Sequence, residues 1–272
     1  MIKTNFTNNI PVVGIVGGTG PYASLFFHLE ILNQMQKVMN IEKDQDYIPI
    51  ILDNDPLIPD RSESIVGNLK VLTDLYLSKI NKLIAYGANI IVIACNTAHV
   101  ILENVKLDQN IILIDMIDEV VKFFKYIAPY ENSVGLFSTL GTLKSRIYHN
   151  KLSVVGVEVM NVQETSAILI HQAIYGIKAG FRYKSDVLRD PDRLNSIYKT
   201  HGNSIRTNSV PSPEEIILNE IKEMSKTKVK YLILGCTEIS LVINRTKINN
   251  ILLLDPVKIV ANKIINIFQE YK

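Results

Sequence analysis

The sequence predicts an α/β fold made of two similar, doubly wound parallel-sheet domains. Three observations lead to this prediction. Short apolar runs alternate with stretches of helical periodicity, the chain resembles itself, and an apolar run ends in cysteine in each half. Such alternation is typical of parallel strands joined by crossover helices. Two related halves of this kind predict a pseudo-twofold axis with an active site between the domains.

The composition is that of an ordinary soluble protein with a small-molecule partner. Of the 272 residues, 47% are hydrophobic and 21% are charged, which suffices for a well-filled core. The formal net charge is only +2 and the charges are scattered, so the basic surface of a nucleic-acid-binding protein is missing. The N-terminal residues lack a signal-peptide core and no apolar run reaches membrane-spanning length, so we expect a cytoplasmic protein with no membrane partner.

The first elements follow from the same patterns. The stretch "VVGIVGGTGP" (12–21) predicts a strand and a Gly-rich loop. A helix is predicted to open at Ser62 and to close at Gly87, a residue typical of helix ends. Its apolar positions recur at helical spacing and are Ile65, Leu69, Leu72, Tyr76, Ile80, Leu83 and Ile84.

Three landmarks of the first half recur in the second half in the same order, which chance does not readily produce. Each is an apolar run followed by a turn, by a cysteine or by an aspartate. The first pair is "VVGIVGGTGP" (12–21) with "SVGLFSTLGT" (133–142), and the second is "NIIVIACNT" (89–97) with "KYLILGCTE" (230–238). The third is "IILIDM", which contains Asp115, with "ILLLDP", which contains Asp255.

These landmarks divide the chain into two domains. The first is predicted to comprise residues 11–117 plus 255–272 and carries Cys95. The second is predicted to comprise residues 118–254 and carries Cys236.

The second half also contains an extra polar segment, residues 181–213, without a sustained period. One interpretation is a surface loop or additional helical turn. The other is a lid that carries Arg182, Arg189 or Arg193 toward an anionic substrate.

Cys95 and Cys236 are the only cysteines, lie 141 positions apart and form no CxxC motif, so reduced thiols are expected. Open parallel sheets bind ligands at the C-terminal ends of their strands, which would put both thiols beside one cleft. Each also precedes a predicted helix start, where free N–H groups favour a thiolate. Thiols on opposite sides of one carbon can remove a proton from one face and return it to the other, which inverts a stereocentre.

Five motifs together resemble the cofactor-independent aspartate/glutamate racemases, and the aspartate racemase branch in particular. The resemblance extends over about residues 12 to 268, apart from the extra segment. The second cysteine is followed by Thr-Glu, whereas glutamate racemases of cell-wall synthesis typically have Thr-His there. The motifs are "GGTGPYAS" (17–24), "NDPLIPDRSE" (54–63), "ACNTAH" (94–99), "GIKAG" (176–180) and "GCTEIS" (235–240).

The resemblance implies that Cys95 and Cys236 are catalytic, one as base and one as acid, with exchanged roles for the other enantiomer. It implies no pyridoxal phosphate, no other cofactor and no metal. The matching substrate-binding positions are Thr19, Arg61, Asn96, Thr97, Lys178 and Thr237.

Within that set, Arg61 and Lys178 would pair with carboxylates, which suits an acidic, dicarboxylic amino acid as substrate. Asn96 and Thr97 would hold the amino acid head group, with Thr237 in the pseudo-symmetric place. Thr19 occupies a loop position that is often Met in relatives.

The preferred function is therefore racemisation of aspartate. The alternatives are a racemase for glutamate or for both acids, a decarboxylase or isomerase of the wider superfamily, a catalytically silent amino acid binding protein and a thiol redox switch. Relatives are commonly dimers, so a homodimer is a further expectation.

Four more polar residues invite a structural or a functional interpretation. His99 is expected to hydrogen-bond within its motif or to tune Cys95 rather than to bind zinc. Asp115 and Asp255 are expected to cap the helices that follow them, rather than to orient groups at the floor of the cleft. Glu238 could assist proton transfer or be structural.

Overall fold

The computed structural model describes residues 10–202 and 209–271 of the chain. The strands of its first sheet are β1 (Val13–Val16), β2 (Ile50–Asp53), β3 (Ile90–Ile93) and β4 (Ile112–Ile114). They are all parallel and lie in the order β2-β1-β3-β4. A crossover therefore separates each strand from the next.

The second sheet repeats this arrangement and adds one strand. Its members are β5 (Ser133–Ser138), β6 (Glu158–Met160), β7 (Tyr231–Gly235), β8 (Lys247–Ile248) and β9 (Ile251–Leu254). The order is β6-β5-β7-β9-β8, with β8 antiparallel at the edge and the others parallel. The predicted α/β fold with parallel sheets in two domains is confirmed.

Helices connect the strands. In the first part of the chain they are α1 (Pro21–Val38), α2 (Arg61–Gly67), α3 (Leu69–Ala85) and α4 (Met116–Ile127), with 3-10 turns at Asp44–Asp46 and Thr97–Asn104. The later ones are α5 (Leu140–Ser145), α6 (Ile147–Val154), α7 (Glu164–Lys178), α8 (Lys184–Val187), α9 (Pro191–Thr200), α10 (Pro213–Met224) and α11 (Pro256–Glu270), with a 3-10 turn at Ile239–Leu241. None of the helices in the described ranges combines the length and apolar composition of a membrane span.

The predicted helix from Ser62 to Gly87 is two helices rather than one. Asn68 breaks it with a non-helical backbone, and its side chain accepts a hydrogen bond from the Val71 N–H at the start of α3. The first of the two, α2, begins one residue before Ser62 and is capped by the Asp60 carboxylate. Gly87 does follow the end of α3, with φ of 101°.

Both faces of each sheet are covered, which explains the continuous apolar runs of the strands. In β3, Ile90 packs with α1 and α11 on one face, while the next residue, Ile91, packs with α3 on the other. In β7, Leu232 packs with α7 and α10, and Ile233 packs with α4 and α6. Alternate residues of one strand thus enter different cores.

The C-terminal helix α11 returns to the first sheet. Its Ile264 shares a buried cluster with Phe27 and Ile31 of α1. Its Ile259, however, lies in the cluster that joins α4 to the second sheet. The division into residues 11–117 plus 255–272 and residues 118–254 remains a proposal, and its last residue lies outside the described part.

Candidate active site

The two cysteines lie at the carboxyl ends of corresponding strands. Cys95 is two residues past β3 and Cys236 directly follows β7, and these strands neighbour β1 and β5 respectively. Both are free thiols with 7% and 6% exposure. They line one small cavity. The structure therefore brings the two predicted thiols together.

The other predicted site residues line the same cavity. Besides the cysteines these are Thr19, Arg61, Asn96, Thr97, Lys178 and Thr237. Four more residues reach it, namely Asp60, Ser62, Thr139 and Glu238. Sequence reasoning missed the first three of these. Two features of the sequence could have indicated them. Asp60 and Ser62 flank the predicted Arg61, and Thr139 lies in the second-half turn that matches the loop of Thr19.

Arg61 supplies a permanent positive charge beside Cys95. Its Nη1 donates to the Pro59 carbonyl at 3.0 Å and its Nη2 to the Thr19 carbonyl at 3.3 Å. Burial alone would lower the pKa of Arg61, but the surrounding acidic groups, Cys95 foremost, hold it above its ordinary value. Its Nε has no hydrogen-bond partner in the part of the chain that the structure describes. This donor is free for a ligand.

Cys236 has a different environment, in which the thiol is protonated. Its Sγ donates to Glu238 Oε2 at 2.9 Å. Burial raises the pKa of Cys236, and the charge of the Glu238 carboxylate raises it further. Lys178 opposes this shift but does not cancel it. The resting site therefore holds a neutral thiol on this side.

Asn96 presents an amide donor to the cavity. The buried Tyr148 hydroxyl donates to Asn96 Oδ1 at 2.5 Å, which assigns the other end of the amide as the NH₂ group. That Nδ2 is buried and has no partner within the described ranges. A donor held in this way can bind a carboxylate oxygen and stabilise charge that develops there.

The threonines that follow the cysteines link the two halves of the cavity. Thr97 Oγ1 lies 2.7 Å from Thr142 Oγ1 and 3.1 Å from Thr139 Oγ1 in the other half. From the second half, Thr237 Oγ1 donates to the Ala94 carbonyl of the first half at 3.4 Å. Each hydroxyl has only one proton to donate. It can donate to a ligand only if it gives up its present acceptor.

Lys178 enters the cavity from the last turn of α7. Its Nζ lies 4.6 Å from the centroid of the Tyr175 ring, and it takes part in none of the ion pairs found among the described residues. The Tyr175 hydroxyl donates to Asp60 Oδ2 at 2.5 Å. Burial would raise the pKa of Asp60, but this hydrogen bond and Lys178 hold it below its ordinary value. The bond joins α7 to the turn that carries Arg61.

His201 packs against α7, the helix that carries Lys178. Its ring stacks on Tyr175 with centroids 3.9 Å apart, and the His171 ring lies 4.7 Å from Tyr175 on the same helix. Sequence reasoning missed this cluster, although Tyr175 lies one helical turn before Lys178. The extra segment therefore contacts α7 through a histidine.

The three arginines proposed for a lid lie elsewhere. Arg182 stacks on the Tyr22 ring at 4.1 Å and Arg193 lies 5.3 Å from the centroid of Phe181. Arg189 is exposed, and none of the three lines the cavity. The segment forms α8 and α9, which favours the added helical turns. Its residues 203–208 lie outside the described part.

The remaining polar residues of the motifs have structural partners. The Met116 N–H donates to His99 Nε2 at 3.1 Å, so Nδ1 carries the ring proton and donates to the Cys95 carbonyl at 2.8 Å. Burial lowers the pKa of His99, which keeps the ring neutral. Asp115 caps α4 and Asp255 caps α11, so both capping predictions are confirmed.

Comparisons with known proteins agree with these observations. A family model described as Asp/Glu/Hydantoin racemase matches residues 16–188. The broad specificity amino-acid racemase RacX of Bacillus subtilis (strain 168) is 27% identical over 169 residues, which are 61% of this chain and 71% of that protein. The similarity therefore includes Cys95 and extends into the second half.

Solved structures resemble the chain over nearly its full length. An aspartate racemase from Picrophilus torridus is 25% identical, with a TM-score of 0.68, and the match covers 96% of this chain and 97% of that one. Glutamate racemase isoform RacE1 from Bacillus anthracis is 15% identical, with a TM-score of 0.57 and coverage of 97% and 83%. The second likeness concerns the fold alone.

Proposed function

Because the chain belongs to the Asp/Glu/Hydantoin racemase family and is an amino acid racemase, an isomerase, we propose that it interconverts L- and D-aspartate. The proposed reaction passes the Cα proton between Cys95 and Cys236, without pyridoxal phosphate or metal. One observation carries the proposal. Two free thiols from corresponding strand ends line one cavity together with Arg61 and Lys178.

The chemistry needs one thiolate and one thiol at the start. The thiolate removes the Cα proton from one face of the substrate, and the thiol delivers its proton to the opposite face. The product is the other enantiomer, and the thiolate is now on the other cysteine. For the opposite direction the two cysteines exchange roles, so the proton count balances.

The surroundings suggest which cysteine is the base in the resting protein. Cys236 holds its proton against Glu238, so it suits the acid. Cys95 lines the same cavity as the Arg61 guanidinium, a cation, and has no carboxylate hydrogen-bonded to its sulfur among the described residues. We therefore propose Cys95 as the base that starts from the resting state.

A carbanion beside a carboxylate is the difficult intermediate, and donors must stabilise its enediolate form. Asn96 Nδ2 and Arg61 Nε are buried donors at this cavity without partners in the described chain. Both are fixed before the substrate arrives, so little reorganisation is required during the reaction.

The proposed acidic substrate rests on charge. Arg61 and Lys178 are two cations at one cavity, and a dicarboxylic amino acid brings two carboxylates. A second candidate is a racemase that accepts glutamate or several amino acids. The relative whose name says broad specificity favours that candidate.

Proton NMR of L-aspartate with the purified protein in D₂O, without added cofactor, tests the proposal. We expect deuterium at Cα and formation of D-aspartate. Cys95→Ser and Cys236→Ser should each lose racemisation, with near-UV circular dichroism as the check that both fold. A variant that keeps full activity would remove its cysteine from the pair.

The same experiment separates the alternatives. Equal rates with L-glutamate would favour the broader racemase. Wild-type protein that binds aspartate without exchanging its Cα proton would be a silent binder. Light scattering would test the homodimer, which we propose from the resemblance to dimeric relatives.

A further inference from the structure

Glu238 is a buried carboxylate with only one of its oxygens in use. The side chain is 2% exposed and lines the cavity of the two thiols. Its Oε2 accepts from Cys236 Sγ at 2.9 Å and lies 3.3 Å from Thr237 Oγ1. Its Oε1 has no partner anywhere in the described residues. Buried carboxylate oxygens are nearly always hydrogen-bonded, so an unused one points to a missing donor.

The Gly-rich loop of the first domain holds this oxygen in place. A Cβ atom built on Gly20 would lie 2.0 Å from Glu238 Oε1, so a larger residue would displace the carboxylate from this position. Gly20 also has φ of 121°, which side-chain-bearing residues rarely adopt. Glu238 is therefore fixed between Cys236 on its own domain and the loop of the other.

The charges of the cavity leave one substrate group without a partner. Arg61 and Lys178 account for the two carboxylates of an acidic amino acid, but its ammonium group also needs an acceptor. The lining carboxylates are Asp60 and Glu238. Asp60 is already engaged, because Oδ1 caps α2 and Oδ2 accepts from Tyr175.

We propose that Glu238 Oε1 receives the ammonium group of the substrate. The inference rests on the proposed function, since it takes an amino acid as the ligand. The contact would fix the Cα atom close to Cys236, whose thiol hydrogen-bonds the other oxygen of the same carboxylate. The ammonium charge would also offset the carboxylate charge that disfavours a thiolate on Cys236.

Binding of L-aspartate and of succinate tests the proposal, because succinate has both carboxylates but no ammonium group. Isothermal titration calorimetry would compare wild-type protein with Glu238→Gln, which preserves size and an acceptor for Cys236. We expect aspartate to bind roughly tenfold to a hundredfold more weakly to the variant, as for a lost charged hydrogen bond. Succinate should bind equally well or more tightly.

Glu63→Gln is the matched control. It removes the same charge from an exposed position near the site, and neither ligand should respond. Retained succinate binding by Glu238→Gln would show that its cleft is folded.

Parallel weakening of both ligands, or unchanged aspartate affinity, would overturn the inference. Wild-type protein that binds succinate as tightly as aspartate would also overturn it. The proposed function fails separately, if wild-type protein forms no D-aspartate while the contrast between the ligands persists.

Discussion

At the scale of single residues, the site places two thiols in unequal surroundings. Cys236 faces a carboxylate, whereas Cys95 lies near a guanidinium. The two halves therefore share a fold, but their thiols have neighbours of opposite charge. A reaction that passes a proton from one side to the other begins from a defined state because of this inequality.

Alkylation of Cys236 should show a strongly alkaline pH profile. Burial, and next the charge of Glu238, raise the pKa of this thiol, so it stays protonated at neutral pH and becomes a reactive thiolate only as pH rises. Iodoacetamide labelling followed by peptide mass spectrometry would measure the profile in Cys95→Ser protein. The midpoint pH of labelling should lie above that of the same protein in urea, where an ordinary thiol has a pKa of about 8.5. Coincident midpoints would contradict this.

Asn96→Ala should lower kcat more than it changes KM. The free Nδ2 donor is fixed by Tyr148, and loss of one preorganised donor to a developing oxyanion typically costs about 100-fold to 1000-fold in kcat. Chiral chromatography of D-aspartate formation would measure the rates. Tyr148→Phe, which keeps the amide but frees its orientation, should lose less. An equal loss in both variants would mean that packing, not the donor, is responsible.

At the scale of elements, strand ends were predictable and contacts between halves were not. The motifs "ACNTAH" and "GCTEIS" predict the site, because each cysteine directly follows an apolar run in the sequence. Tyr175 and Asp60 are 115 positions apart, and nothing local to either predicts their hydrogen bond. The break at Asn68 was missed for another reason, since the apolar period continues through it while its side chain caps a new helix.

Tyr175→Phe should raise KM for aspartate by roughly tenfold and affect kcat less. The lost hydrogen bond, to a charged acceptor, holds the turn of Arg61 against the helix of Lys178, so the two cations would no longer be spaced for two carboxylates. Initial rates against substrate concentration would separate KM from kcat. Tyr183→Phe is the control, because its hydroxyl donates to the Leu241 carbonyl on an exposed surface. Unchanged KM in Tyr175→Phe would exclude the positioning role.

At the scale of the whole molecule, repetition made the fold predictable. The recurring landmarks predict two similar parallel sheets, and the corresponding strand orders β2-β1-β3-β4 and β6-β5-β7-β9 agree with this. The continuous apolar runs reflect coverage of both faces. The antiparallel β8 at the edge and the helices α8 and α9 have no counterpart among the described residues of the first half. Those parts could not be predicted from repetition, and their short polar sequences provide no strong period.

The stability of the molecule should fall in mild acid because of a buried histidine of α7. His171 lies under Tyr175 and His201, and burial, followed by the charges of His201 and Lys178, lowers the pKa of His171 to about 4 from an ordinary value of 6.5. At pH values between these two pKa values, His171 is protonated in the unfolded chain but not in the folded chain. The free energy of unfolding therefore decreases as pH falls. Above about pH 7 this histidine contributes no pH dependence.

His171→Gln isolates that contribution from the other buried histidines. At pH 5 the wild-type penalty from this group should be roughly 1 to 2 kcal/mol relative to pH 7.5, from a shift of a few pKa units at about 1.4 kcal/mol each. Urea unfolding at both pH values would measure the loss of stability in each protein. The loss should be smaller in the variant, whose amide can still accept the hydrogen bond that the Leu140 N–H donates to His171 Nδ1. Equal losses in the two proteins would assign the acid sensitivity to other groups, such as His99, whose pKa burial also lowers, or the carboxylates whose pKa values lie below their ordinary range.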